Sequence, residues 1–303
     1  MQGTTLITGS SGTIGTRLCE YFLNNNKIFL GLDLKPNKWS KEINDLTIIS
    51  DLRQKTFFDE LPKDIDTVIH LAANSRVHDL IKNPTLALDN FITLSNILEY
   101  VRINKIRRFL FASSREVYGS LSKDKAREIA IDLNLCENPY SASKLGGEAL
   151  IQSYSKCFNI DFLILRFSNV YGMYDESDRV IPLFLKLCKS KKDISVFGKD
   201  KIIDFVHIDD IINAIMRGIE KFDTVKNDVF NIAYGKGTSL VDLARLIKSS
   251  MGAKINVRVG QNRTGDVMKF VGDITKATEN LGYIPEISIE EGIIKTIAWY
   301  SVN

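Results

Sequence analysis

Few patterns restrict a fold as sharply as a β-branched apolar run that ends on spaced glycines and resumes as a helix. Thr4-Thr5-Leu6-Ile7-Thr8 is such a run, and Gly9-Ser10-Ser11-Gly12-Thr13-Ile14-Gly15 separates it from the helical stretch Thr16 to Asn24. A short apolar run without alternation reads as a strand buried on both faces. The glycines permit a tight turn and close backbone approach, and the helix N-terminus presents free N–H groups to the same spot. Strand, glycine-rich turn and helix in this order suit a dinucleotide, with its pyrophosphate at the helix end. The spacing is G-x-x-G-x-x-G, not the commoner G-x-G-x-x-G. A turn that serves chain packing alone is the other reading, and the strands and helices beyond it weigh against that.

Ile28 to Leu32 read as a second strand ending at Asp33. A carboxylate there can accept from both adenosine ribose hydroxyls and would repel a 2′-phosphate, which selects NAD over NADP despite Lys35 and Lys38 nearby. Leu46 to Ser50 read as a third strand, with Asp51-Leu52 placed to contact the adenine. Thr67 to Leu71 form a fourth, leading to Ala72-Ala73, small enough to let the cofactor phosphates pass. A helix over 84–104 returns the chain, and Arg108 to Ala112 form a fifth strand ending at Ser113-Ser114-Arg115-Glu116. Phe162 to Phe167 make another strand, followed by Ser168-Asn169. Strands alternating with helices predict a Rossmann-type α/β fold with a doubly wound parallel sheet, whose ligands lie beyond the carboxyl ends of the strands. The regularity falls off after Gly172. The expected division is an NAD-binding domain over 1–172, with later strands rejoining it near 203–235, and a mainly substrate-binding region over 173–303.

Within this frame one short stretch carries chemistry. Pro139-Tyr140-Ser141-Ala142-Ser143-Lys144 opens a helix, and its tyrosine and lysine, four apart, share one helix face. A lysine ammonium there favours the tyrosinate, lowering a phenol pKa of ~10 toward neutrality and fitting the tyrosine to trade protons with a hydroxyl. The pair alone is common on solvated helices; its place after the fifth strand, opposite Ser114, gives it weight. A net charge of +3 is too small to argue for nucleic acid or a membrane surface, and neither is expected as a partner. Four cysteines without metal-like spacing and three scattered histidines suit reduced thiols and no metal. Absence of a leader or a long apolar run gives a cytoplasmic expectation.

Taken in order, T-G-S-S-G-T-I-G, Asp33, Asp51-Leu52, H-L-A-A at 70–73, Asn90, S-S-R-E-V-Y-G, N-P-Y-S-A-S-K, L-R-F-S-N-V-Y-G, R-V-I-P, D-F-V-H-I-D-D and L-G-Y-I-P resemble the extended short-chain dehydrogenase/reductases of the nucleotide-sugar epimerase and dehydratase group. The resemblance covers nearly the whole chain. It implies Tyr140 as acid/base, Lys144 as its electrostatic partner bonded also to the nicotinamide ribose, and Ser114 as the group holding the sugar hydroxyl. It implies cofactor contacts at Gly9, Ser11, Gly12, Thr13, Ile14, Gly15, Asp33, Asp51, Leu52, Leu71, Ala72, Ala73, Asn90, Ser113 and Phe167. Asn169, Arg179, Val180, Arg263 and Asp266 fall where the family holds its substrate. It implies a homodimer built through the helices over 84–104 and 140–157. One departure stands out: where the family often has arginine before Asp-Phe-Val, this chain has Ile203, so one diphosphate contact is in question.

The expected function is therefore NAD-dependent nucleotide-sugar 4-epimerisation through a transient 4-keto sugar. Glu116 keeps a 4,6-dehydratase or decarboxylase in view, because dehydratases of this group place a base there. Arg115, however, stands where they often have an acid. Glu116 read instead as an ion-pair partner of Arg115 or Lys144 would have no chemical role. A non-catalytic relative that uses the fold for binding is the third reading. The identity of base and sugar rests with the loops over 75–83, 120–138 and 173–180.

Overall fold

The run Thr4–Thr8 forms the central strand β1, and its residues alternate between two cores: Leu6 packs on one face of the sheet and Ile7 on the other. The same alternation holds for Val68 and Ile69, and for Phe109 and Leu110, so each strand is buried twice. In chain order the strands are β1, β2 (Phe29–Asp33), β3 (Thr47–Ile49), β4 (Ile65–His70), β5 (Arg108–Ser114) and β6 (Phe162–Phe167). There follow β7 (Asn169–Tyr171), β8 (Ile194–Phe197), β9 (Ile202–His207), β10 (Asp228–Ile232), β11 (Gly237–Ser239), β12 (Val257–Gly260) and β13 (Lys269–Phe270). This computed structural model describes residues 3–119, 125–129, 131–260 and 269–302.

Among the described residues a seven-stranded parallel sheet runs β3-β2-β1-β4-β5-β6-β10. The order reverses between β1 and β4, which opens a crevice at their carboxyl ends. Helices Thr13–Asn24 and Ile208–Glu220 cover one face; Thr85–Ile103 and Pro139–Phe158 cover the other. Of the strands expected to rejoin this sheet near 203–235, β10 does, along β6. Strand β9 does not: it pairs with β7, β11 and β13 in a separate small sheet. That sheet, the β8–β12 pair, and the helices Val180–Lys189, Leu240–Ser250 and Ile289–Val302 enclose a third core, in which Ile203 is 2% exposed. Among the described residues no helix is long and apolar enough to cross a membrane.

Candidate active site

The glycine turn is built by contacts only glycine tolerates. Gly9 has φ +74°, and a Cβ there would stand 2.7 Å from the Ala72 backbone nitrogen. A Cβ on Gly15 would collide with the Gly9 carbonyl. These two glycines let β1, the 71–73 segment and the helix meet. Gly12 differs: a Cβ there would meet only Gly9 O, at 3.3 Å, so its bareness leaves space on the crevice side. It caps the helix Thr13–Asn24 without a side-chain bond, and the hydroxyl of Ser11 is buried with no partner among the described residues. Uncapped N–H groups, an open glycine and an unsatisfied hydroxyl at one helix N-terminus fit a phosphate-bearing ligand.

Around this turn the other expected cofactor positions converge. Asp33, at the end of β2, accepts from Ser11 N and Lys35 N at 3.0 Å each, which fixes the carboxylate beside the turn. Asp51 is held by the Arg53 guanidinium at 2.7 Å, and Leu52 is buried, its carbonyl bonded by Asn96. Leu71 and Ala72 bond back to Thr8, at the end of β1, and Ala73 follows them. Asn90 links two sides of the crevice: its amide grips Asn74 through N and O and donates to Ser143 Oγ, on the Tyr140 helix. Phe167 lies in the core at the end of β6, and the Ser113 hydroxyl is spent on Glu148.

Ser114 ends β5, and Tyr140 and Lys144 project from the first turns of the facing helix. The Ser114 hydroxyl lies close enough to the Tyr140 phenol to favour its ionised form. Lys144 Nζ donates to Ala112 O at 2.8 Å and lies over the rings of Phe111 and Tyr140, 4.7 and 5.8 Å from their centroids. Burial lowers the Lys144 pKa to about 8, against the pull of Glu148 one turn on. The tyrosine departs from expectation. Burial pushes its phenol above the usual value, and the Ser114 hydroxyl and the Arg179 and Arg115 charges recover only part of that, with Glu116 opposing them. The expected lowering by Lys144 does not occur in this state, because the ammonium is aimed at the Ala112 carbonyl and desolvation of the phenol dominates.

Beyond Tyr140, Arg115 and Glu116 form an ion pair at 2.7 Å with both side chains 12% exposed. Neighbouring residues on an α-helix would diverge, but these lie on the tight turn Arg115–Tyr118 that follows β5. Arg115 Nε donates to Asn169 Oδ1, and its guanidinium covers the Phe270 ring at 5.3 Å. Arg179 donates to Ser75 at 2.9 Å and lies 3.6 Å from Asp175; Val180 begins the next helix. Arg263 and Asp266 lie outside the described residues.

Comparison with known proteins identifies the family. The model of the NAD-dependent epimerase/dehydratase family matches residues 5–233. The chain belongs to that family. NAD is accordingly the cofactor, and the turn at Gly9–Gly15, with Asp33 beside it, has the space and free N–H groups that its pyrophosphate would need. A putative UDP-glucose 4-epimerase of Methanocaldococcus jannaschii is 33% identical over 98% of each chain. A UDP-glucuronate 4-epimerase of Thermodesulfobacterium geofontis is 30% identical over 100% of this chain and 97% of its own. Among solved structures, the UDP-glucose 4-epimerase of Thermotoga maritima with UDP-glucose superposes with a TM-score of 0.89, covering 99% of both chains at 26% identity.

Two features of this family member escape the sequence reading. Asn138 caps the Tyr140 helix, accepting from Ser141 N at 2.9 Å, and its amide reaches Glu116 Oε2 at 3.3 Å. The signal was present, since asparagine before proline is a helix-start pair. Behind Lys144, Glu148 and Arg166 make a buried two-point ion pair at 3.0 and 2.7 Å, and Arg166 donates on to Tyr118. Nothing local in the sequence joins them.

Proposed function

We propose that this protein is a nucleotide-sugar 4-epimerase. A sugar whose C4 hydroxyl enters between Ser114 and Tyr140 is held by the serine and gives its proton to the tyrosine oxygen. The guanidinium groups of Arg115 and Arg179 favour the ionised form of that oxygen, as positive charge does for any phenol. Bound NAD supplies the chemistry of accepting a hydride from the sugar carbon and returning it. Tyr140 then returns the proton to the C4 oxygen after the keto sugar has presented its other face. In this reading Arg179 and Asn169 receive the diphosphate, whose oxygens a guanidinium suits.

The observation that carries the epimerase over the dehydratase is the Arg115–Glu116 ion pair. A dehydratase needs a carboxylate free to take the C5 proton and an acid to release the C6 hydroxyl. Here the carboxylate is held by a guanidinium, and that guanidinium occupies the acid's position. The nearness of Glu116 to Tyr140 speaks for the dehydratase reading, as do dehydratases among the similar proteins.

Incubation with UDP-, dTDP-, GDP- and CDP-hexoses, with products read by NMR, tests the assignment. The expected product is the C4 epimer, in an equilibrium mixture; a 4-keto-6-deoxy sugar would replace this reading with the dehydratase. Tyr140→Phe should lower turnover by ~100- to 10,000-fold while leaving NAD binding and the thermal midpoint nearly unchanged. A smaller loss would remove Tyr140 from the acid/base role.

A further inference from the structure

The Arg115–Glu116 pair leaves something unspent. Of the guanidinium nitrogens, Nη2 meets Glu116 and Nε meets Asn169, but Nη1 is shielded from solvent with no partner among the described residues. A buried cationic N–H without an acceptor is costly, so an acceptor arriving with a ligand would be strongly favoured. Glu116 in turn keeps lone pairs beyond those engaged by Arg115 and by the long 3.3 Å contact from Asn138. The two residues follow Ser114 directly, and both are close enough to Tyr140 to alter its ionisation.

A donor beside an acceptor is the pattern that reads a hydroxyl, which accepts and donates at once. A carboxylate can only accept, and here it would also meet the charge of Glu116. Among the described residues of the site, Arg115 is matched by Glu116, Arg179 has Asp175 nearby, and Lys144 is turned to the Ala112 carbonyl.

We propose that Arg115 and Glu116 together form a specificity determinant that admits a neutral, hydroxyl-bearing sugar and discriminates against a uronate. The inference rests on the sugar lying at Ser114 and Tyr140, as the epimerase reading has it. It holds whether the product is a C4 epimer or a 4-keto-6-deoxy sugar; a decarboxylated product, which only a uronate can give, would overturn it.

The test is therefore one of binding, by calorimetry on the NAD-loaded protein with UDP-glucose and UDP-glucuronic acid. The native protein should bind the hexose at least ~10-fold more tightly, since a site made for a hydroxyl rejects groups that leave its polar atoms unpaired. Glu116→Gln keeps the shape and the acceptor toward Arg115 but removes the negative charge, so that ratio should shrink by ~10-fold or more through tighter uronate binding. Arg115→Gln combined with Glu116→Gln, which leaves no lone buried charge, should weaken the hexose and abolish the discrimination. Equal or tighter uronate binding by the native protein would overturn the proposal, as would a ratio that Glu116→Gln leaves unmoved. Should the product panel yield a 4-keto sugar while the ratios hold, the epimerase reading falls and the specificity pair stands. Failure of both sugars to bind would remove the placement on which the pair depends, and the proposal with it.

Discussion

Asp33 shows how one carboxylate can serve fold and ligand together. It spends two acceptor directions on Ser11 N and Lys35 N, shaping the glycine turn, and its remaining lone pairs would be open to a ribose. A 2′-phosphate would meet that charge, so NAD should bind at least ~10-fold more tightly than NADP, the difference expected when a like-charge contact costs ~1.4 kcal/mol or more. Titration of both cofactors decides it, and tighter NADP would refute the assignment. His70 makes a different kind of demand. It is 1% exposed, bonded to Thr8 Oγ1 at 2.8 Å and stacked near Phe111, with Lys144 close by. Burial first and the lysine charge second lower its pKa to about 3. An unfolded histidine titrates near 6.5, so between the two values the unfolded chain binds more protons. The stabilisation is complete above pH 6.5 and is lost as pH falls toward 3, at about 1.4 kcal/mol per pH unit. His70→Gln should flatten the acid limb of stability by about that slope in urea titrations between pH 6 and 4. An unchanged slope would show that the ring takes up its proton without unfolding.

The elements that place the site differ in how far their sequence foretells them. β1, its glycines and the helix after them are local: a run of five residues and three evenly spaced glycines specify them. The Tyr140 helix is local too, announced by Asn138 and Pro139. What the sequence does not convey is pairing across distance. β9 reads as one more strand, yet its partners lie 30 or more residues away, on β7, β11 and β13. The raised pKa of Tyr140 is illegible for the same reason, because burial is a property of the assembled site. Glu148 and Arg166 are the sharpest case. They sit 18 positions apart on a helix and on β6, with side chains 4% and 5% exposed. Their pair fastens the Tyr140 helix to the sheet beneath Lys144. Arg166→Met leaves a buried, unpaired carboxylate and should cost about 3–5 kcal/mol. With Glu148→Gln added, most of that loss should return, because no lone charge remains. Chemical denaturation of the two single variants and the double closes the cycle; additive losses would mean the two groups act independently.

For the molecule as a whole, the two helices on one face of the sheet raise a question that a single chain does not answer. Thr85–Ile103 buries Leu94, Ile97, Leu98 and Val101 against the sheet, yet Leu88 is 59% and Phe91 36% exposed, on one face at i and i+3. The neighbouring helix meets it closely: a Cβ added to Gly146 would lie 3.0 Å from the Phe91 ring. Ala142 and Ala149 are exposed on that helix, small enough for another helix pair to approach. A two-fold axis between such pairs would bury both apolar faces at once, and two-fold dimers are the commonest closed assembly. The expected state at micromolar concentration is thus a dimer of the 34.2 kDa chain. Leu88→Glu with Phe91→Glu should shift light scattering to the single-chain mass while the circular dichroism of the native protein persists, since neither side chain belongs to the described cores. A native protein that scatters as one chain would rule the interface out. A dimer that survives both glutamates would move it to another face, because four charges brought together across a two-fold axis could not remain buried without partners.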